Sequence, residues 1–157
     1  MLIVATPIVT AERVPLAMLL IVDDDVFIRV IAELLLKDMG HSTLPASDVD
    51  EALLLLRSPQ HIDALLTDIR LEGAVLGGCE LAHQAIKLRP QLGVLYITGN
   101  SITDKMKTLF VEGSYFLEKP YTPHQLQNSV EELLTPHLRS NKQSVDRGEY
   151  KLSAATR

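Results

Sequence analysis

The chain has 157 residues, 46% of them apolar and 22% charged, a length and balance that serve one hydrophobic core and exclude collagen-like, low-complexity and wholly disordered classes. The net charge of -5 is uneven: residues 139–157 hold five Lys/Arg against two Asp/Glu, leaving residues 1–138 with ten against eighteen, so no nucleic-acid partner is expected of this acidic body. A single cysteine, Cys79, precludes an intramolecular disulfide and fits a reducing compartment.

The longest apolar run, at 14–22, is well short of the roughly 20 residues a spanning helix needs. The first basic residue, Arg13, follows the leading apolar stretch where a signal peptide would place it before. No membrane partner and a cytoplasmic location are expected.

Residues 1–16 carry Pro7 and Pro15, fit neither strand nor helix, and are set apart as an N-terminal extension. From residue 17 onward, short apolar runs alternate with stretches of helical period, the pattern of a parallel sheet covered by helices on both faces. The run AMLLIVD (17–23) predicts the first strand, after which Phe27, Ile31, Leu34 and Leu35 share a helical face and are read as a core stripe. The polar-rich HSTLPAS (41–47) predicts a strand near a sheet edge, followed by a helix over 48–57 with Ser47 as its N-cap. IDALLTD (62–68) predicts the third strand, and a helix over 78–88 ends before Pro90.

GVLYIT (93–98) predicts the fourth strand, with Ile102, Met106, Leu109 and Phe110 as the next helical core stripe. YFLE (115–118) predicts the fifth. Thr122 as N-cap, Pro123 at the first helical position and Gln125 then start a last helix with the stripe Leu126, Val130, Leu133 and Leu134. Every run but the second lacks polar alternation, as strands buried on both faces do. Residues 139–157 are polar and aperiodic, read as a flexible C-terminal tail, so the domain is assigned to 17–138.

In an open parallel sheet the ligand site lies outside the carboxyl ends of the strands. Here the first run ends in Asp23-Asp24-Asp25, the third in Asp68, the fourth in Thr98-Gly99, and Lys119-Pro120 follows the fifth. Asp25 reads as a charge favouring a helix N-terminus and is left out of the site. Clustered carboxylates repel one another unless a cation sits between them. With oxygen ligands alone, Mg2+ is the hard cation of choice and Mn2+ can substitute. An Asp beside such a metal is a candidate nucleophile towards phosphorus, with the metal and Lys119 neutralising the phosphoryl oxygens. No GxxxxGK[ST] or GxGxxG is present, the five histidines lack ligand spacing, and Cys79 reads as a small buried residue.

LLIVDDDVFIR, LLTDIRLEG, LYITG and FLEKPY, in that order and spacing, resemble the receiver domain of bacterial two-component response regulators, the CheY-like family. The resemblance implies a doubly wound, flavodoxin-like α/β fold whose five parallel strands run in the order 2-1-3-4-5. It implies that Asp68 is the phosphoacceptor. Asp24, Asp68 and the backbone carbonyl of Arg70 would bind Mg2+, with Asp23 joining through water. Thr98 would hydrogen-bond the phosphoryl group and Lys119 would pair with it, Pro120 following a cis peptide bond. Thr98 and Phe116 would form the switch, with the face at 102–138 as output surface and candidate homodimer contact.

The partners implied are a sensor histidine kinase or histidine phosphotransfer protein, together with a target of unspecified identity. The function expected is a single-domain response regulator. It would not be a metabolic enzyme, its chemistry being confined to self-phosphorylation from a donor and slow hydrolysis. Two other readings share the residues: a receiver-fold binding module indifferent to phosphorylation, and a small aspartyl-phosphate phosphatase. The second is disfavoured, since such enzymes carry a general-acid Asp two residues after the nucleophile, where this chain has Arg70. One segment departs from the family pattern: after Asp68 the chain reads IRLEGAVLGGCE, with Glu72 where most members have Pro and about two extra residues before Gly78.

Overall fold

A computed structural model describes residues 16–135. Strands and helices alternate: β1 (Met18–Val22), α1 (Val26–Asp38), β2 (Ser42–Ala46), α2 (Val49–Arg57), β3 (Ala64–Asp68), α3 (Gly77–Leu88), β4 (Gly93–Thr98), α4 (Asp104–Lys107), β5 (Tyr115–Glu118) and α5 (Pro123–Leu134). All four strand pairings are parallel, and the sheet order is β2-β1-β3-β4-β5. This is the flavodoxin-like, CheY-like arrangement that the family resemblance implies. All but Leu16 of the extension at 1–16, together with the tail at 139–157 and the end of the 17–138 domain, lies outside the described residues.

Side chains alternate across a strand, so β1 sends Leu19 and Ile21 to one face and Leu20 and Val22 to the other. Leu19 and Ile21 join Leu66, Leu95 and Ile97 beneath Ala32 and Leu36 of α1 and Leu126, Val130 and Leu133 of α5. Leu20 and Val22 join Leu65, Val94 and Tyr96 beneath Ala52, Leu53 and Leu56 of α2 and Leu81, Ala82 and Ala85 of α3. The order reverses between β1 and β3, placing the crevice at their carboxyl ends. Arg89 closes the opposite end, its guanidinium donating to the carbonyls of Leu56 in the last turn of α2 and of Ser58 and Gln60 beyond it. Among the described residues, no helix is long and apolar enough to cross a membrane.

Four local expectations are corrected. On α1, Phe27, Ile31 and Leu34 are 81%, 55% and 62% exposed, so most of the predicted core stripe faces solvent. The sequence VFIRVIAELLL is apolar on more than one side, and periodicity alone does not choose between them. The three-residue connection from β1 sets the helix's rotation, and small Ala32 lets its other side approach the sheet. Of the next stripe, Ile102, Met106 and Phe110 do pack against the core, but Leu109 does not and α4 spans only Asp104–Lys107. The N–H groups of Leu109 and Phe110 bond three residues back, and that of Val111 donates to the Tyr96 hydroxyl, so the helical ladder ends.

The cap of α2 is Asp48, accepting from the Glu51 N–H, while Ser47 donates through its N–H and hydroxyl to the Glu51 carboxylate. Finally β5 is an edge strand with Phe116 and Glu118 exposed, not a strand buried on both faces. The capping box at Thr122 and Gln125 and the stripe of α5 stand as predicted.

Candidate functional site

Each acidic side chain reaches the crevice because its strand ends there. β1 stops at Val22, so Asp23 and Asp24 lie beyond its carboxyl end, and Asp25 turns the chain into α1 by accepting from the N–H groups of Phe27 and Ile28. That Asp25 role as N-cap agrees with its exclusion from the site. Asp68 closes β3 one strand away. Carboxylate oxygens of Asp23, Asp24 and Asp68 all lie within 4.8 Å of one another.

Lys119 arrives from the far edge. Its N–H donates to the Thr98 carbonyl at 2.7 Å, locking the end of β5 to that of β4, and the peptide bond to Pro120 is cis. The ammonium then spans the crevice, with Nζ 3.3 Å from Asp23 Oδ2 and 3.2 Å from Asp68 Oδ2. The Asp25 N–H also donates to Asp23 Oδ1 at 2.9 Å, and the Arg70 N–H to Asp68 Oδ1 at 3.2 Å. Arg29 on α1 donates to the Asp23 carbonyl.

Burial pushes the Asp23 carboxyl above its usual range, and the Asp25 N–H and the Lys119 charge only partly offset this. Burial alone would lower the Lys119 ammonium, but Asp68 and Asp23 outweigh it and raise the pKa. Three carboxylates against one ammonium leave an excess of negative charge in a partly buried crevice. The donor set is all oxygen. These residues therefore fit a hard divalent cation such as Mg2+, which Asp23, Asp24 and Asp68 would hold. When bound, it would supply positive charge to phosphoryl oxygens.

Thr98 is buried at the end of β4, its hydroxyl accepting from the Asn100 N–H at 3.2 Å. Phe116 on β5 pairs in register with Tyr96 on β4 and is 43% exposed. Its ring lies 5.6 Å from the Lys107 ammonium and 6.3 Å from the Phe110 ring, which in turn stacks on Tyr96 at 4.2 Å. Burial raises the Tyr96 hydroxyl to about 12, so it stays protonated, and it accepts the Val111 N–H. Cys79 is buried and its thiol is pushed up by that burial, which leaves it without thiolate character.

Two features of the site are invisible to residue spacing. A Cβ on Gly78 would lie 1.8 Å from the Asp68 carbonyl oxygen, so only glycine lets α3 pack against the strand that carries this carboxylate. The second is the Glu72 N–H, which donates to Asp24 Oδ2 at 3.2 Å. A glycine at the start of a helix beside an acidic strand end is the signal that points to Gly78; backbone donors have no residue letter.

Doubly wound topology, an acidic crevice at the switch point and a lysine reaching it from the last strand together define a receiver-type scaffold. The chain belongs to the response regulator receiver domain family, whose model matches residues 19–131. The nitrogen assimilation regulatory protein NtrX of Azorhizobium caulinodans is 32% identical over 111 residues, 69% of this chain and 24% of the relative. The transcriptional regulatory protein AruR of Pseudomonas aeruginosa is 29% identical over 120 residues, 73% of this chain and 48% of the relative. The chain thus spans less than half the length of these curated relatives. A crystal structure of a response regulator receiver protein from Sinorhizobium medicae superposes with a TM-score of 0.69 at 30% identity, covering 76% of this chain and 94% of that one.

Proposed function

We propose that this chain is a phosphorylation-dependent signalling switch that takes a phosphoryl group onto Asp68 from a phosphohistidine on a sensor histidine kinase or phosphotransfer protein. The observation that carries this reading is the Lys119 ammonium bridging Asp23 and Asp68 beside a three-carboxylate cluster. An Asp68 oxygen attacks phosphorus, the phosphorus–nitrogen bond of the donor breaks with its electron pair left on the imidazole, and an acyl phosphate forms. Lys119 is placed to follow the developing charge on the phosphoryl oxygens.

The chemistry is done on the protein's own side chain, so turnover of free phosphate esters is not expected. Arg70 stands where a general-acid Asp would be needed for that, and its N–H is spent on Asp68. Thr98 and Phe116 would convert the charge into a packing change at the face built from α4, β5 and α5, the proposed output surface. The site of action is proposed to be the cytoplasm.

Incubation with Mg2+ and acetyl phosphate tests the reading. Mass spectrometry should show one added phosphate on the wild type and none on Asp68→Asn. A wild type that takes up no phosphate overturns it, and equal affinity of wild type and Asp68→Asn for the captured target would favour a binding module indifferent to phosphorylation.

A further inference from the structure

The connection from β3 to α3 is where this chain departs from its family's pattern, and its structure is specific. The Leu71 N–H donates to the Ala74 carbonyl at 3.2 Å and the Ala74 N–H to the Leu71 carbonyl at 2.8 Å. They close a two-residue turn in which Glu72 has φ 52 and Gly73 has φ 76, positive at both central positions as in a type I′ turn. Gly73 adopts this freely; Glu72 does so against the steric preference of an L side chain. Held that way, Glu72 aims its N–H across 48 residues of sequence at Asp24 Oδ2.

Asp23 and Asp68 are each steadied by Lys119 and by a backbone N–H. Asp24 is the exposed member of the cluster, and the Glu72 N–H is its tether. We propose that Glu72 is a positioning residue for Asp24, its main-chain N–H fixing the carboxylate so that the cluster is ready for a divalent cation. The role rests on the Mg2+-binding reading above and belongs to the backbone, since the Glu72 side chain is exposed. Proline, usual at this place in the family, has no N–H to offer.

Calorimetric titration of the full chain with Mg2+ tests this. Glu72→Gly keeps the N–H and the positive φ, and Glu72→Gln keeps the N–H without the charge; both should bind within about twofold of wild type. Glu72→Pro should bind about tenfold more weakly, the range seen when outer-shell support of a metal ligand is lost. Its labelling by acetyl phosphate should recover at saturating Mg2+, which a collapsed site would not allow. Should Glu72→Pro fail to fold, amide exchange decides: Asp24→Ala should speed exchange of the Glu72 N–H. Wild-type affinity in a folded Glu72→Pro, equal weakening in Glu72→Gln, or unchanged exchange in Asp24→Ala overturns the inference. Absence of Mg2+ uptake by the wild type would instead remove the metal reading beneath it.

Discussion

Gly78 shows how one missing methyl group sets the position of the Asp68 strand end. In the first turn of a helix, Gly→Ala ordinarily stabilises by up to about 1 kcal/mol. Here the added carbon would also lie 2.8 Å from the Asp68 carbonyl carbon and 2.9 Å from Ile69 Cα, backbone atoms that cannot step aside. The sign should reverse: Gly78→Ala is expected to cost about 1–3 kcal/mol in urea unfolding. It should also slow acetyl phosphate labelling of Asp68 by about tenfold or more, because displaced reactants lose their alignment.

His41 gives a second test at this scale. It is buried, its Nδ1 accepts the Ala17 N–H at 3.2 Å, and burial lowers its pKa below the ordinary value despite the opposing charges of Glu131 and Asp63. The unfolded chain therefore takes the proton first, and the stability this neutral ring contributes is full above the ordinary histidine range and lost as pH falls through it. The urea midpoint should drop between about pH 7.5 and about pH 5.5 more steeply in wild type than in His41→Asn, which keeps an acceptor that does not titrate. Parallel profiles would show that His41 is not the titrating group.

Among the elements, α1 stands out because its solvent side carries Phe27, Val30, Ile31 and Leu34. Apolar side chains grouped on one exposed helix face mark a contact surface more often than chance decoration. The helix starts two residues after Asp24, so this face runs down from the rim of the acidic crevice. Under the proposed function, a protein presenting a phosphohistidine to Asp68 would rest against that rim. Phe27→Asp should slow phosphoryl transfer from a protein donor by about tenfold and leave acetyl phosphate labelling unchanged. Stability should stay within about 0.5 kcal/mol of wild type, as for a surface position. Equal rates from the protein donor would place the docking surface elsewhere.

For the molecule as a whole, the crevice concentrates negative charge in a domain that is already acidic, so repulsion among its carboxylates opposes folding and a bound cation would relieve it. Asp24→Asn should raise the thermal midpoint without divalent ions by relieving repulsion among the three carboxylates. Wild type should gain about 2.7 kcal/mol when Mg2+ is present at about one hundred times its dissociation constant, and the variant should lose most of that gain. Scanning calorimetry with and without Mg2+ reads both effects; an equal Mg2+ increment in the two proteins would exclude Asp24 as a ligand.

The strands themselves, the residues that close them and the acidic and basic groups delivered there were legible in the sequence, and the order of strands in the sheet through the family resemblance. A buried strand is a short apolar run, and the residue that closes it is local information. Asp23, Asp24, Asp68, Thr98 and Lys119 could therefore be placed at one sheet edge from spacing and family resemblance together. Which side of α1 would be buried, and how soon α4 would end, were decided by the tertiary structure, because both depend on neighbours distant in sequence: the sheet beneath Ala32 and the Tyr96 hydroxyl waiting for the Val111 N–H. The tether from Glu72 to Asp24 belongs to the same class. It is a main-chain hydrogen bond aimed by a turn, and only the folded backbone gives such a donor its direction.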